Sequence, residues 1–192
     1  EAYSEIWTEN GSPLINDTLI LGDKVSSKLN IPVEVSMRYQ FPSIEEGLIN
    51  LKKKGCSEIF VVPLYPHYAM STVLTTEKEV KRIENELELD LKLNFIEAFY
   101  SEQEYISSLS NVISSNRQSE SDFLLFSYHG IPNRHLLKTD PTQNHCLKVE
   151  NCCDMESKAK PFCYKAQVIE TSRLCAKQLE LKEDEWGISF QS

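Results

Sequence analysis

The sequence has no apolar run long enough to cross a membrane and no cluster of basic residues. Its 192 residues contain no stretch that approaches about eighteen consecutive apolar residues, the length typical of a membrane-spanning helix. The net charge of −9 argues against a surface that binds nucleic acid. Neither a G-x-G-x-x-G motif nor a Walker phosphate loop occurs, which weakens a nucleotide-binding interpretation. The composition, 41% hydrophobic and 26% charged, is that of an ordinary soluble globular protein.

The ends of the chain show neither a signal-peptide pattern nor an initiating methionine. The sequence begins in the middle of a secondary-structure pattern, and it stops at Phe190-Gln191-Ser192, directly after a predicted strand. We therefore expect a piece of a longer protein that is located in the cytoplasm.

Six cysteines are present, and four of them lie close together, at Cys146, Cys152, Cys153 and Cys163. A secreted disulfide scaffold would be shorter and would spread its cysteines along the chain. Because no export signal is visible, a metal ion or cluster is the better explanation for the group of four. Four thiolates suit Zn²⁺ or a 2Fe–2S cluster, although the spacing is not a pair of C-x₂-C knuckles. Cys56 and Cys175 lie in apolar or helical contexts and are predicted to be buried thiols.

Predicted strands alternate with predicted helices along the chain. The strands are Val33–Tyr39, Glu58–Leu64, Leu93–Ala98, Phe123–Ser127 and Trp186–Phe190, and the helices are Pro13–Leu29, Ser43–Lys54, Thr72–Leu87, Glu102–Ser115 and Tyr164–Leu179. Ser12 is a plausible N-cap of the first helix, and Ser43 with Glu46 forms a capping box for the second. The alternation predicts an α/β protein with largely parallel strands and right-handed crossovers. The five strands form either one sheet or parts of two.

Two segments follow buried strands and carry chemically useful side chains. The first is SYHGIP (127–132), in which Ser127, Tyr128 and His129 are predicted to lie where the strand leaves the sheet. In open α/β sheets this position faces the ligand crevice. The second is PLYPHYAMST (63–72), whose Tyr65 or Tyr68 ring can stack on a flat ligand. Its hydroxyls, on Ser71 and Thr72, or the N–H groups of the following helix can meet carboxylates.

These motifs resemble the ferrochelatase family, whose members insert ferrous iron into a porphyrin. The sequence SYHGIP after Leu-Leu-Phe is similar to the family signature. Further matches are Asn10-Gly11-Ser12-Pro13-Leu14, Val62-Pro63-Leu64-Tyr65-Pro66, Ser71-Thr72-Val73, Asp140-Pro141 and Ser189-Phe190-Gln191-Ser192. The resemblance covers nearly the whole chain, and the combination in this order is more specific than any single motif.

The resemblance implies a chelatase-like fold of two Rossmann-like domains, each with a four-stranded parallel sheet flanked by helices and with the porphyrin between them. On that template residues 1–98 belong to the first domain and residues 99–192 to an incomplete second domain. A cysteine-rich insertion occupies about residues 142–163. The family's opening segment and last third, which supplies a glutamate opposite the histidine, are absent from this sequence.

The resemblance also implies roles for the candidate site residues. His129 is expected to act as proton acceptor or as ligand of the substrate Fe²⁺, and the sequence leaves both roles open. Tyr65, Tyr68, Ser71, Thr72 and Tyr128 are the candidate porphyrin-binding residues, and Tyr128 either lines the pocket or simply packs in the core. His67 either lines this pocket or lies on a surface loop. His135 and His145 are expected to be solvent-exposed rather than catalytic.

For the cysteines, the resemblance implies a 2Fe–2S cluster held by Cys146, Cys152, Cys153 and Cys163, with zinc or unligated thiols as alternatives.

The expected activity is that of a lyase which inserts ferrous iron into protoporphyrin IX to form haem, the terminal step of haem biosynthesis. Coproporphyrin stays open as the substrate. The alternatives are a cobalt or nickel chelatase of the same fold and a non-catalytic module that binds haem or an iron–sulfur cluster. Because the product is apolar, a peripheral membrane contact is also expected.

Overall fold

A computed structural model describes residues 7–9, 11–119 and 122–191 of the chain. Asn10 and Ser192, which belong to two of the matched motifs, lie outside the described residues. The helices are α1 (Pro13–Leu29), α2 (Ile44–Lys53), α3 (Thr75–Glu86), α4 (Gln103–Asn116), α5 (Asn133–Thr139) and α6 (Tyr164–Gln178), with a π-helical turn at Met70–Leu74 and a 3₁₀ turn at Lys160–Phe162. The strands are β1 (Glu58–Val61), β2 (Lys92–Phe95), β3 (Leu124–His129) and β4 (Trp186–Gln191). In this part of the chain no helix is both long and apolar enough to span a bilayer.

The contacts along the chain divide it into two compact units. The first unit combines Glu1–Val61 with Thr76–Phe95, and the second combines Val62–Thr75 with Ile96–Ser192. The segment that follows β1, which contains Tyr65 and Tyr68, thus packs with the second unit. The sequence-based domain boundary near residue 98 stays a prediction.

The first unit is built on the parallel pair β1 and β2, in register from Glu58↔Lys92 to Val61↔Phe95. Its α2 begins with the predicted capping box, because the Ser43 side chain accepts from the Glu46 backbone and Glu46 reaches back to Ser43. The core cluster consists of Ile44, Leu48, Ile59, Val80, Ile83 and Leu91. Each such side chain contributes roughly 1.5–3 kcal/mol when it is fully buried.

The second unit is built on the parallel pair β3 and β4, in register from Leu124↔Trp186 to His129↔Gln191. Along β3 the side chains alternate, with Phe126 buried and Tyr128 half-buried, while Leu125 and His129 are exposed. Phe126 packs with Ile106 of α4 and Cys175 of α6 in one core cluster. The α/β class and the parallel pairing are confirmed, with the strands in two sheets rather than one.

The sequence-based assignments differ most from the structure in two places. The strand predicted at Val33–Tyr39 is wrong, because this segment makes only an isolated bridge between Met37 and Ser43. An alternating pattern forms a strand only beside a hydrogen-bonding neighbour, and the described residues supply none here. β3 does not leave the sheet at Ser127 but continues to His129, because it pairs with β4 over all six residues. The seven-residue helix α5, which follows Pro132, was not predicted.

Candidate active site on β3 and α6

His129 is the last residue of β3, and its side chain is exposed. Its backbone carbonyl accepts a hydrogen bond from the hydroxyl of Tyr164 at 2.9 Å. The next residue, Gly130, donates its N–H to the carbonyl of Gln191. A Cβ atom at position 130 would lie 3.1 Å from that carbonyl oxygen, so a glycine is what permits this close approach. The imidazole is therefore carried on a strand end that is hydrogen-bonded from two sides.

Tyr128 precedes His129 and lies on the opposite face of β3. Its hydroxyl is 2.9 Å from Oγ of Ser172, which itself donates to the carbonyl of Val168. Because the Ser172 proton is used in that second bond, the Tyr128 hydroxyl is the donor in the first. Burial raises the pKa of Tyr128. Tyr128 thus packs against α6, and its hydroxyl already has a partner.

The segment 63–72 is attached to α6 through Gln167. The backbone N–H of Tyr68 donates to Oε1 of Gln167 at 2.7 Å, while Nε2 of Gln167 donates to the carbonyls of Pro161 at 2.8 Å and Lys160 at 3.3 Å. Gln167 is completely buried. All of the amide's principal hydrogen-bonding groups are therefore satisfied, as burial of an amide requires.

His67 is buried, with 8% of its surface exposed, so the surface-loop alternative is wrong. Its Nε2 lies 2.9 Å from Oγ1 of Thr171, which donates in turn to the carbonyl of Tyr100 at 2.7 Å. Because the Thr171 hydroxyl already donates its hydrogen to the Tyr100 carbonyl, it can only accept from His67. Nε2 of His67 is therefore the donor. Burial lowers the pKa of His67 to about 4, so the ring is neutral at pH 7. Its ring meets those of Tyr128 and Tyr164 edge to face.

The other porphyrin candidates are more accessible. Tyr65 and Ser71 are exposed, while Tyr68 and Thr72 are half-buried. The hydroxyl of Thr72 lies 3.5 Å from the carbonyl of Ala69, a long and weak contact. The π-helical turn begins at Met70, and such turns are frequent at functional sites. The porphyrin-binding roles of these residues stay predictions.

Three of the four clustered cysteines pack together, because Cys146 and Cys163 are buried in one cluster and Cys153 packs against it. Hydrogen bonding from Cys153 and, to a smaller extent, from Cys146 and the first turn of α6 lowers the pKa of Cys163 to about 6. Burial and the neighbouring Cys163 raise the pKa of Cys146 to about 12. Cys152 lies near enough to Cys146 and Cys153 to interact electrostatically with both.

The loop that carries these cysteines is organised by Asp140, which is 3% exposed. Its Oδ1 accepts from the N–H and hydroxyl of Thr142, at 2.9 and 2.7 Å, and its Oδ2 accepts from the N–H groups of His145 and Cys146, each at 2.9 Å. Burial alone would raise the pKa of Asp140, but these four bonds hold it well below the usual range. In the sequence, Asp140 stands out only as part of the Asp140-Pro141 match.

His145 and His135 are less exposed than expected. Nε2 of His145 lies 2.9 Å from the carbonyl of Cys152, so this half-buried ring helps to fold the cysteine loop. His135 is half-buried on α5. The expectation that both are solvent-exposed is therefore wrong. Cys175 is buried as predicted, but Cys56 is only half-buried.

Comparison with known proteins identifies the family. The ferrochelatase family model matches residues 1–192. The chain belongs to the ferrochelatase family. It is 41% identical over 197 residues to a ferrochelatase of Pseudomonas fluorescens (strain Pf0-1) and 42% identical over 193 residues to one of Stutzerimonas stutzeri (strain A1501). It is also 38% identical over 193 residues to a ferrochelatase of Opitutus terrae. Each match covers 100% of this chain.

The chain spans 56–57% of the length of these ferrochelatases. The resemblance that the motifs SYHGIP, PLYP and FQS suggested is thus confirmed, and with it a chelatase-like α/β fold. Tyr164, Gln167, Thr171 and Ser172, which hold the candidate residues, were missed by the sequence analysis. One sequence signal could have revealed them. Polar residues occupy the face of α6 that would be expected to be apolar and to pack into the core.

Proposed function

We propose that this chain is the His129-bearing part of a ferrochelatase that inserts Fe²⁺ into protoporphyrin IX. The observation that carries the proposal is the family match over all 192 residues, together with the exposure of His129 at the carboxyl end of β3. Ligands of parallel α/β sheets bind at this edge. The reaction would be the terminal step of haem biosynthesis, and the protein a lyase.

Metal insertion requires the removal of two pyrrole protons and the delivery of a divalent ion that has lost its water. A neutral imidazole suits either task, because it accepts a proton near pH 7 and is a good ligand of Fe²⁺. His129 is accessible for both roles. We keep proton acceptor and iron ligand as its two alternative roles.

The porphyrin would be gripped by Tyr65, Tyr68, Ser71 and Thr72, with Tyr128 beside them. Tyr65 is the most accessible aromatic ring of this set, with 39% of its surface exposed, and so it is best suited to stack on a macrocycle. The exposed hydroxyl of Ser71 suits a propionate. Tyr128, whose hydroxyl is bound to Ser172, would contribute ring contacts only.

The four clustered cysteines would hold a 2Fe–2S cluster. Their thiols fit the donor set, because Cys146 and Cys163 are buried in one cluster, Cys153 packs against it, and Cys152 lies near Cys146 and Cys153. No three donor side chains among residues 7–9, 11–119 and 122–191 surround a point suited to one metal ion. A two-iron cluster differs in that it takes its four thiolates in two pairs, one on each iron. Such a cluster would supply a visible chromophore and a cross-link of the loop.

The cluster is tested on the full-length protein, purified without oxygen. Replacing Cys152 with Ser is expected to abolish the visible absorption and to lower the iron content, whereas Cys56→Ser is expected to leave both unchanged. Zinc in place of iron on metal analysis, or an unchanged spectrum in the Cys152 variant, would contradict the assignment.

The reaction is tested by mixing the full-length protein anaerobically with protoporphyrin IX and Fe²⁺ and following the free-base porphyrin bands. Their replacement by haem bands supports the proposal. Parallel reactions with coproporphyrin, Co²⁺ and Ni²⁺ show which ring and metal are preferred. Porphyrin binding without insertion of any metal would instead indicate a non-catalytic binding module.

The proposed location is the cytoplasm, with peripheral contact to a membrane. The reasoning is chemical, because both protoporphyrin and haem are apolar and partition into lipid. Flotation of the full-length protein with phospholipid vesicles, with and without bound porphyrin, tests this contact. Absence of the protein from the vesicle fraction in both cases would contradict it.

A further inference from the structure

The buried face of α6 is unusually polar. Gln167, Thr171 and Ser172 are each completely buried, side by side with Val168 and Cys175. A helix of this kind normally packs an apolar stripe into the core, and burying a polar side chain without a partner costs about 1–3 kcal/mol. Each of these three side chains has partners, so the cost is offset.

The partners of this face are the candidate residues of the active site. Tyr164 and Gln167 form hydrogen bonds with the backbones of His129 and Tyr68. Thr171 and Ser172 form hydrogen bonds with the side chains of His67 and Tyr128. The four α6 residues lie on neighbouring turns of a single helix, and they contact two segments far apart in the sequence. One rigid element therefore sets the position of both the end of β3 and the segment 63–72.

We propose that α6 is the positioning element of the site, in which Tyr164 places His129 and Gln167 places Tyr68. The inference rests on the proposed function. Tyr164 does not meet the reacting atoms but holds the carbonyl of His129 at 2.9 Å, so it acts through the strand end that carries the imidazole. Displacement of a reacting group by about 1 Å can cost two orders of magnitude in rate, so a single hydrogen bond at this place matters.

The two residues should affect different kinetic parameters. Tyr164 holds the group that acts on the ring protons or on the iron, and so its loss should lower kcat. Gln167 holds a segment proposed to grip the porphyrin, and so its loss should mainly raise KM for the porphyrin. A purely structural role for α6 would lower stability in both variants without this division.

The test uses the full-length protein with Tyr164→Phe, which removes only the hydroxyl, and Gln167→Met, which keeps the length of the side chain. Tyr164→Phe is expected to lower kcat about tenfold with KM within about twofold, and Gln167→Met to raise KM several-fold. Tyr105→Phe, in another half-buried tyrosine of the same unit, is the matched control with both parameters unchanged. Assays are run below the unfolding midpoint of each variant, and Gln167→Met alone tests the inference if Tyr164→Phe does not fold.

A second readout needs neither porphyrin nor iron. With ¹³C-labelled histidine, the His129 ring signal is assigned by its loss in His129→Ala and then compared among the variants. Tyr164→Phe should shift this signal and Tyr105→Phe should not. Inactivity of the wild type, with the shift present, would overturn the proposed function but not the positioning by Tyr164. If the kinetics and the ring signal in Tyr164→Phe match those of Tyr105→Phe, the inference is wrong.

Discussion

His67 and Thr171 are 104 positions apart in the sequence, yet Nε2 of one lies 2.9 Å from Oγ1 of the other. The threonine hydroxyl in turn donates a hydrogen bond to the carbonyl of Tyr100, so the three groups form a short chain of hydrogen bonds inside the second unit. Because both His67 and Thr171 are buried, water cannot replace either bond if one partner is removed.

The first prediction concerns Thr171. Replacing it with Val keeps the shape but leaves the imidazole N–H of His67 and the carbonyl of Tyr100 without partners, which should destabilise the protein by about 3 kcal/mol. Thr171→Ser keeps the hydroxyl and loses one methyl group, so it should cost about 1 kcal/mol. Urea unfolding of the full-length protein measures both values. Equal losses in the two variants would show that the hydroxyl contributes nothing.

The second prediction is a loss of stability in acid that depends on His67. Burial lowers its pKa to about 4 in the folded protein, below the value of 6.5 for a free imidazole. The unfolded chain therefore binds more protons between these values, so the stability contributed by the neutral ring falls as pH drops from about 6.5 to about 4. The loss at pH 4 should be roughly 3 kcal/mol.

A His67→Gln variant checks the source of this acid sensitivity. Its free energy of unfolding should be lower than that of the wild type at pH 7 but should fall less steeply between pH 6.5 and 4. Unfolding curves at four or five pH values give the two slopes. Parallel slopes would mean that His67 is not the titrating group.

The third prediction concerns Asp140, whose carboxylate accepts four hydrogen bonds at the start of the cysteine loop. In Asp140→Asn the amide NH₂ would face N–H donors, so the change should destabilise the loop by about 2–3 kcal/mol despite the same size. Thermal unfolding and limited proteolysis within residues 141–162 measure the effect. Asp184→Asn, which alters a residue outside this loop, serves as the control. Cleavage of the loop at the wild-type rate in Asp140→Asn would contradict the assigned role.

Local features of the fold could be predicted from the sequence. The capping box of α2 depends on residues three positions apart, and the prediction from Ser43 and Glu46 is confirmed. The short apolar run 123–126 likewise predicted β3, although the strand extends three residues further than Phe126 because β4 pairs with it there. The segment Val33–Tyr39 has the alternation of a strand but no long neighbouring strand among the described residues, which its own sequence does not reveal.

The candidate site was predictable only in part. His129 stood out because it follows an apolar run and precedes Gly130 and Pro132. Its support by Tyr164 could not be predicted, because a hydrogen bond across 35 positions leaves no periodic trace in the sequence. The same holds for Gln167 and Tyr68, which are 99 positions apart. Burial of His67 depends on this same long-range packing.

The central claim is that His129 acts directly in metal insertion, and one paired measurement tests it. Full-length His129→Ala and His135→Ala are mixed anaerobically with protoporphyrin IX and Fe²⁺, and the initial rate of haem formation is compared with that of the wild type. The account predicts a loss of at least about a hundredfold in His129→Ala, as for removal of an acid–base group, and a wild-type rate in His135→Ala. A wild-type rate in His129→Ala, with the protein folded, would contradict it.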